Sequence, residues 1–323
     1  MAVPSTVDLL GEPYVAEVLD LPPDEEGEVV ATLVSRRAPG PTHRAVLHVH
    51  GWNDYFFQTV AADFWVARGH DFYALDLRKY GRSLRPHQTP NHVTDLGEYA
   101  AELDAALALV CGRDGHTEVV VSAHSTGGLV TALWLDAGPA AHGEAVRGLA
   151  LNSPWLDLHG PLWLRTAGTR VIDRLGARRP ERELPRSVTG VYGKSLHRDH
   201  GGEWDYDLAW KPLESWPVRA GWLRAVRRGH AAVRRGLSLT LPVLVLSSDR
   251  SCHATVWEPD VDCTDTVLDV GLMARRVPGL SSHVTLVRVP GALHDVTLSR
   301  EPARSQAFDE LDRWLTAYVD GRG

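Results

Sequence analysis

The ten residues 119–128, VVVSAHSTGG, constrain this chain more than any other stretch, because a strand pattern meets a helix pattern there with almost no room for a loop. Val119, Val120 and Val121 are β-branched and do not alternate with polar residues, as in a strand buried on both faces. From Thr126 onward the apolar residues Leu129, Val130, Leu133 and Trp134 recur at three- and four-residue intervals, the period of an amphipathic helix. A sharp turn at Ser125 must join the two.

A Ser held on such a turn is strained and exposes its hydroxyl at the strand end, so the residues two positions to either side must be small. Ala123 and Gly127 meet that requirement, with Ala standing where glycine is more usual. The turn alone does not distinguish a nucleophile from an ordinary strand-to-helix junction, and the rest of the chain has to decide.

The flanking pattern is strand and helix in alternation. Residues 14–21 and 28–35 read as a hairpin around the turn Asp24-Glu25-Glu26-Gly27. Strands are expected at 44–50, 71–77, 118–123, 146–152, 242–247 and 284–289, and helices at 55–68, 95–110, 268–277 and 302–318. Such alternation predicts an α/β fold with a mostly parallel central sheet flanked by helices, and ligands in such sheets sit at the carboxyl ends of the strands. Residues 155–239 break the pattern: they are rich in Trp, Arg, Gly and Pro and hold no clear buried strand. The expected organisation is a core of residues 1–154 and 240–323 with a cap, or lid, inserted at 155–239. Trp155, Trp163, Trp204, Trp210, Trp216 and Trp222 could line an apolar pocket there or simply pack the cap.

Composition excludes several functions. The net charge is −7 with both signs interspersed, which offers no basic face for nucleic acid. No apolar run approaches the roughly 20 residues needed to span a bilayer, and the N-terminus lacks the pattern of a secretory signal, so a cytoplasmic protein is expected. Cys111, Cys252 and Cys263 are too few and too irregularly spaced for a disulfide framework. The close pairs His48/His50 and His197/His200 have no carboxylate at an established metal-motif spacing, and no metal or cofactor is expected.

A serine hydroxyl needs a base, and His294 stands in a glycine-containing turn directly after the last expected strand, on the same sheet edge as Ser125. The base needs a carboxylate, which the order Ser, Asp, His puts after strand 242–247. Asp249 is nearest that strand, while Asp265 lies beyond an insertion and just ahead of a helix; Asp265 is favoured and Asp249 kept as the alternative. Two N–H donors for an oxyanion would come from Thr126, after the Ser, and Trp52, after Gly51.

Three segments, His50-Gly51-Trp52, residues 76–83 (DLRKYGRS) and residues 123–128 (AHSTGG), together with His294, resemble the α/β-hydrolase superfamily and, within it, the monoacylglycerol lipase, lysophospholipase and serine aminopeptidase-like group. The resemblance implies an α/β-hydrolase fold with a cap and a Ser125–His294–Asp265 triad that cleaves small-molecule ester or lipid-like substrates without a cofactor. Residues 76–83 are expected to brace the loops beneath the site. The group commonly carries a second glycine after His-Gly, where this chain has Trp52 and Asn53. A peptidase or amidase would use the same triad, with Glu203, Asp205 and Asp207 as a candidate clamp for a free amine, and a noncatalytic binding protein on the same fold is the further alternative.

Overall fold

A computed structural model describes residues 5–138, 144–158, 167–185 and 189–321; Trp163 lies outside them. The apolar runs form nine strands among these residues: β1 (Ser5–Val7), β2 (Val15–Asp24), β3 (Gly27–Arg36), β4 (Arg44–Val49), β5 (Asp71–Asp76), β6 (Glu118–His124), β7 (Val146–Asn152), β8 (Val243–Ser248) and β9 (Val284–Val289). They make a single sheet in the order β1-β2-β3-β5-β4-β6-β7-β8-β9. The pairings β1–β2, β2–β3 and β3–β5 are antiparallel, and every pairing from β5 to β9 is parallel. The short edge strand β1 was not anticipated from the sequence.

Period-two alternation divides each central strand between two cores. Leu47, Tyr73 and Val121 face one cluster, which includes Leu103 of helix α2 (Ala100–Ala108) and Leu129 and Trp134 of α3 (Thr126–Ala137). Their neighbours Val46, Phe72 and Val120 face the other, with Trp65 of α1 (Thr59–Ala67) and Leu311 and Trp314 of α8 (Ala303–Tyr318). Both faces of the sheet are covered, which is why its strands read as continuous apolar runs.

Two expected helices start later than the sequence suggests. Residues 55–58 are not helical: Tyr55, Phe56 and Phe57 are buried one by one, and the Phe56 amide donates 2.8 Å to Asp76 Oδ1 instead of entering a helical ladder. Asn53 at φ 54° has already turned the chain out of register for a helix. The expected helix 95–110 divides into a 3₁₀ turn Leu96–Tyr99, α2 and a π-turn Leu109–Arg113, opened by the anticipated capping box: Gly97 N donates to Asp95 Oδ1 at 2.9 Å and Asp95 N to Glu98 Oε1 at 3.0 Å. Helix α7 is only Val270–Ala274, shorter than the expected 268–277.

Between β7 and β8 the chain leaves the sheet and builds the cap, whose described helices are α4 (Ala167–Arg178), α5 (Val191–Leu196) and α6 (Ala220–Arg235). Helix α6 buries Trp222, Ala225, Val226, Gly229 and Val233 at three- and four-residue spacing, a helical signal that was present in the sequence. It packs closely on α3 and the turn before α2: a Cβ on Gly229 would lie 3.0–3.2 Å from the side chains of Leu133, Leu96 and Leu129.

Candidate active site

The turn after β6 is strained as its sequence requires. Ser125 has φ 51° and ψ −117°, a conformation that side-chain-bearing residues rarely adopt. Its amide donates to the Asn152 carbonyl at 3.0 Å, and its own carbonyl accepts from Trp155 N at 3.0 Å, so both ends of the strained residue are tied to the neighbouring β7 edge. The small flanking residues have a direct geometric cause. A Cβ on Gly127 would lie 2.3 Å from the His50 carbonyl oxygen, and one on Gly51 would lie 3.0 Å from the Ser125 Cβ.

Ser125, His294 and Asp265 converge. Ser125 Oγ is 3.0 Å from His294 Nε2, and His294 Nδ1 is 2.8 Å from Asp265 Oδ2. A carboxylate can only accept, so Nδ1 carries the proton and Nε2 is left to accept from the serine hydroxyl. Asp265 is fully buried, and its other oxygen accepts from Val267 N at 2.8 Å and Leu268 N at 2.7 Å, which orients the carboxylate.

Asp249 lies elsewhere. Its Oδ1 accepts from Gly291 N at 3.4 Å, and among the described residues no hydrogen bond joins it to His294. The insertion after β8 loops out and returns so that Ser251 bridges Asp265, with Cys252 N donating to the Asp265 carbonyl at 3.0 Å. The later aspartate is thereby brought back to the sheet edge.

The two amides expected to face an oxyanion, Trp52 N and Thr126 N, donate no hydrogen bond among the described residues. Thr126 is the first residue of α3, where an amide has no intrahelical acceptor and the helix dipole favours negative charge. The Trp52 ring lies 5.2 Å from Trp222, which lies 5.8 Å from Trp155, so one tryptophan of the loop after β4 meets two of the cap, and the Trp155 amide bonds the Ser125 carbonyl.

Sequence reasoning missed several residues that hold this arrangement. Asn152, at the end of β7, donates from Nδ2 to Asp295 Oδ1 at 2.6 Å and accepts from Val296 N at 2.9 Å, joining the serine strand to the histidine loop. Burial disfavours the Asp295 carboxylate, but the His124 imidazole and hydrogen bonds from Thr297 and Asn152 outweigh it and hold its pKa below the usual range. Tyr192, on α5, accepts from Asp295 N at 3.1 Å and packs its ring edge-on against His294, 5.4 Å between centroids. Burial pushes its phenol well above the ordinary pKa, so it stays neutral. A polar residue at a strand end is a weak signal for Asn152, and nothing in the local sequence marks Tyr192.

Residues 76–83 are turned into the protein. Asp76 accepts from Phe56 N and from Arg82, Ser83 Oγ donates to the Asp76 carbonyl at 2.7 Å, and Arg78 forms a two-pronged pair with Glu102. Glu203, Asp205 and Asp207 are exposed; Glu203 pairs with Arg304, Asp205 with Arg198, and Asp207 accepts from Ala209 N.

A mostly parallel sheet covered on both faces, with a serine turn after one strand, a histidine after the last and a cap inserted between β7 and β8, is the α/β-hydrolase fold. The chain belongs to the hydrolase family described as "Serine aminopeptidase, S33", which matches residues 40–301. No curated protein matches it in sequence. Similar solved structures include a soluble variant of the Saccharomyces cerevisiae monoglyceride lipase in complex with a substrate analog, at TM-score 0.64 and 16% identity over 99% of this chain and 98% of that one. The Paleococcus ferrophilus monoacylglycerol lipase is similar at TM-score 0.61 and 18% identity, covering 88% and 99%. Est1E of Butyrivibrio proteoclasticus with bound ferulic acid is similar at TM-score 0.59 and 12% identity, covering 93% and 99%. Among the described residues no helix is long and apolar enough to cross a membrane.

Proposed function

We propose that the protein is a serine-dependent carboxylic ester hydrolase acting on small-molecule or lipid-like esters with apolar acyl or aryl groups through an acyl-enzyme. The observation that carries the reading is the continuous line Ser125 Oγ, His294 Nε2, His294 Nδ1, Asp265 Oδ2, with links of 3.0 and 2.8 Å on a strained turn. In this reading His294 removes the Ser125 proton as Oγ attacks the ester carbonyl, and Asp265 stabilises the resulting imidazolium. The free amides of Trp52 and Thr126 hold the oxyanion of the tetrahedral intermediate, where one well-placed donor is worth about 10²–10³ in kcat. His294 then protonates the leaving alcohol, and a water, activated by the same imidazole, releases the acid and restores Ser125. The residues supply every proton transfer, so no cofactor is called for.

Esters are favoured over aminoacyl amides because the cap carboxylates Glu203, Asp205 and Asp207 are exposed and engaged by Arg304, Arg198 and a backbone amide. The tryptophans Trp52, Trp155 and Trp222, of which Trp155 bonds the Ser125 carbonyl through its amide, support an apolar substrate. The domain limits that accompany this reading are a core of 1–154 and 240–323 and a cap of 155–239. The test is Ser125→Ala: p-nitrophenyl ester turnover and fluorophosphonate labelling should both vanish, and labelling retained at another residue would overturn the assignment. Aminoacyl amides cleaved faster than esters would move the reading to an amidase.

A further inference from the structure

Lys211 is a cap residue whose ammonium is buried against the loop that carries Trp52. Its Nζ lies 2.9 Å from Asp54 Oδ1 and 3.4 Å from the Asn53 carbonyl oxygen. The rings of Phe57, Tyr192 and Tyr206 surround it at 5.7, 5.9 and 5.6 Å. Asp54 is buried too and takes a further bond from Gln58 Nε2. Beside this pair, Asn53 stands at φ 54°, where asparagine is tolerated better than most side chains. Its side chain donates to the Pro212 carbonyl at 3.1 Å and accepts from Trp216 N at 3.1 Å, so the cap segment 211–216 binds the consecutive loop residues Asn53 and Asp54 through four hydrogen bonds.

A buried ion pair is a poor source of stability, because desolvation of both charges offsets most of their attraction and an apolar pair of the same size often does as well. What the pair does supply is direction: a short charged bond at Asp54 and a second at the Asn53 carbonyl restrict the peptide planes immediately after Trp52. The Trp52 amide is one of the two expected to face the oxyanion, and its usefulness depends on where it points.

We infer that Lys211 is a positioning residue for the oxyanion loop, holding the Trp52 amide in register through Asp54 and the Asn53 carbonyl so that seating of the cap completes the hole. Tyr192 extends the same coupling to the other half of the site, since its ring faces both the Lys211 ammonium and His294. The inference rests on the serine hydrolase reading.

The test compares wild type with Lys211→Met, Asp54→Asn and the double variant Lys211→Met/Asp54→Leu, which leaves neither charge unpaired and remains available if Lys211→Met fails to accumulate. Each is assayed with a p-nitrophenyl ester for kcat and KM and with a trifluoromethyl ketone, whose serine adduct carries an oxyanion. Displacing a positioned donor by about an ångström lowers kcat about 10²-fold. The folded variants should therefore lose about that factor in kcat, keep KM within about threefold, and bind the trifluoromethyl ketone more weakly in proportion to kcat. A folded double variant with wild-type kcat and ketone affinity overturns the inference alone. Wild-type protein that neither turns over ester nor labels at Ser125 overturns the hydrolase reading and this inference with it.

Discussion

Asp265 Oδ2 stands 2.8 Å from His294 Nδ1, while the carboxylate of Asp249, sixteen positions earlier in the chain, accepts from the Gly291 amide at 3.4 Å. The carboxylate bonded to the imidazole therefore comes from the far end of the insertion after β8, and substitution separates the proposed roles of the two. Asp265→Asn should lower kcat by about 10⁴-fold, as expected when the wrong tautomer is favoured. Asp249→Asn should leave kcat within about threefold. Steady-state kinetics on one p-nitrophenyl ester, with circular dichroism to confirm folding, measures both; a more damaged Asp249 variant would reverse the assignment.

Two glycines with different surroundings should respond differently to alanine. At Gly127 the new methyl meets the His50 carbonyl oxygen at 2.3 Å and the Val49 carbonyl oxygen at 2.7 Å, so either the elbow or β4 must move. A loss of about 3 kcal/mol or more in urea unfolding is expected, at the upper end of overpacking costs. At Gly291, φ is 73° and nothing lies within 4 Å, so Gly291→Ala should cost only the backbone strain of about 1–2 kcal/mol. Equal losses at both sites would show that close packing at the elbow is not what selects glycine.

Buried imidazoles make stability depend on pH. Burial lowers His48 and His230 from the usual 6.5 to about 4 each. Consistent with neutral rings, His48 Nε2 and His230 Nδ1 are buried without a partner among the described residues. Because the unfolded chain takes up these protons first, each residue's contribution is complete above about pH 6.5, declines as pH falls and is lost near pH 4. The urea midpoint should drop between those limits, with about 1–2 kcal/mol per residue gone by pH 5. His48 packs near Phe56 and Phe72, so His48→Phe should retain the fold and flatten the slope; an unchanged slope would place the acid sensitivity elsewhere.

The segment 76–83 braces loops, and its arginines should matter to stability more than to turnover. Arg78 donates from Nε and Nη2 to Glu102 at 3.0 and 2.7 Å with both side chains buried. Arg78→Met leaves the Glu102 charge uncompensated and should cost about 3–5 kcal/mol. Thermal unfolding should report that loss while KM for ester stays unchanged below the transition. A raised KM at full stability would instead assign Arg78 to substrate.

How far the sequence reached can be judged residue by residue. The serine turn was legible because the period changes from strand to helix within a few residues, and small neighbours are needed on both sides whatever the distant contacts. His294 was legible as the histidine after the last strand, since a parallel sheet sends successive strand ends to one edge. The helix expected from residue 55 starts later because the three consecutive aromatics, which made the stretch look like an aromatic-rich helix closed by Gly69, are each recruited by a different neighbour: Tyr55 by Asp207 of the cap, Phe56 by Asp76, and Phe57 by the ring of Tyr206.

Sequence by itself thus determined the α/β order, the strained serine and the edge of the sheet on which Ser125 and His294 meet, because these follow from local period, residue size and strand direction. Tertiary structure alone decided which aspartate reaches His294, how Asn152 links two loops, and how Lys211 and Tyr192 fasten the cap to the site. Those pairings span 29, 143 and more than 100 positions of chain. Such contacts depend on the path of intervening loops, which no short-range pattern specifies.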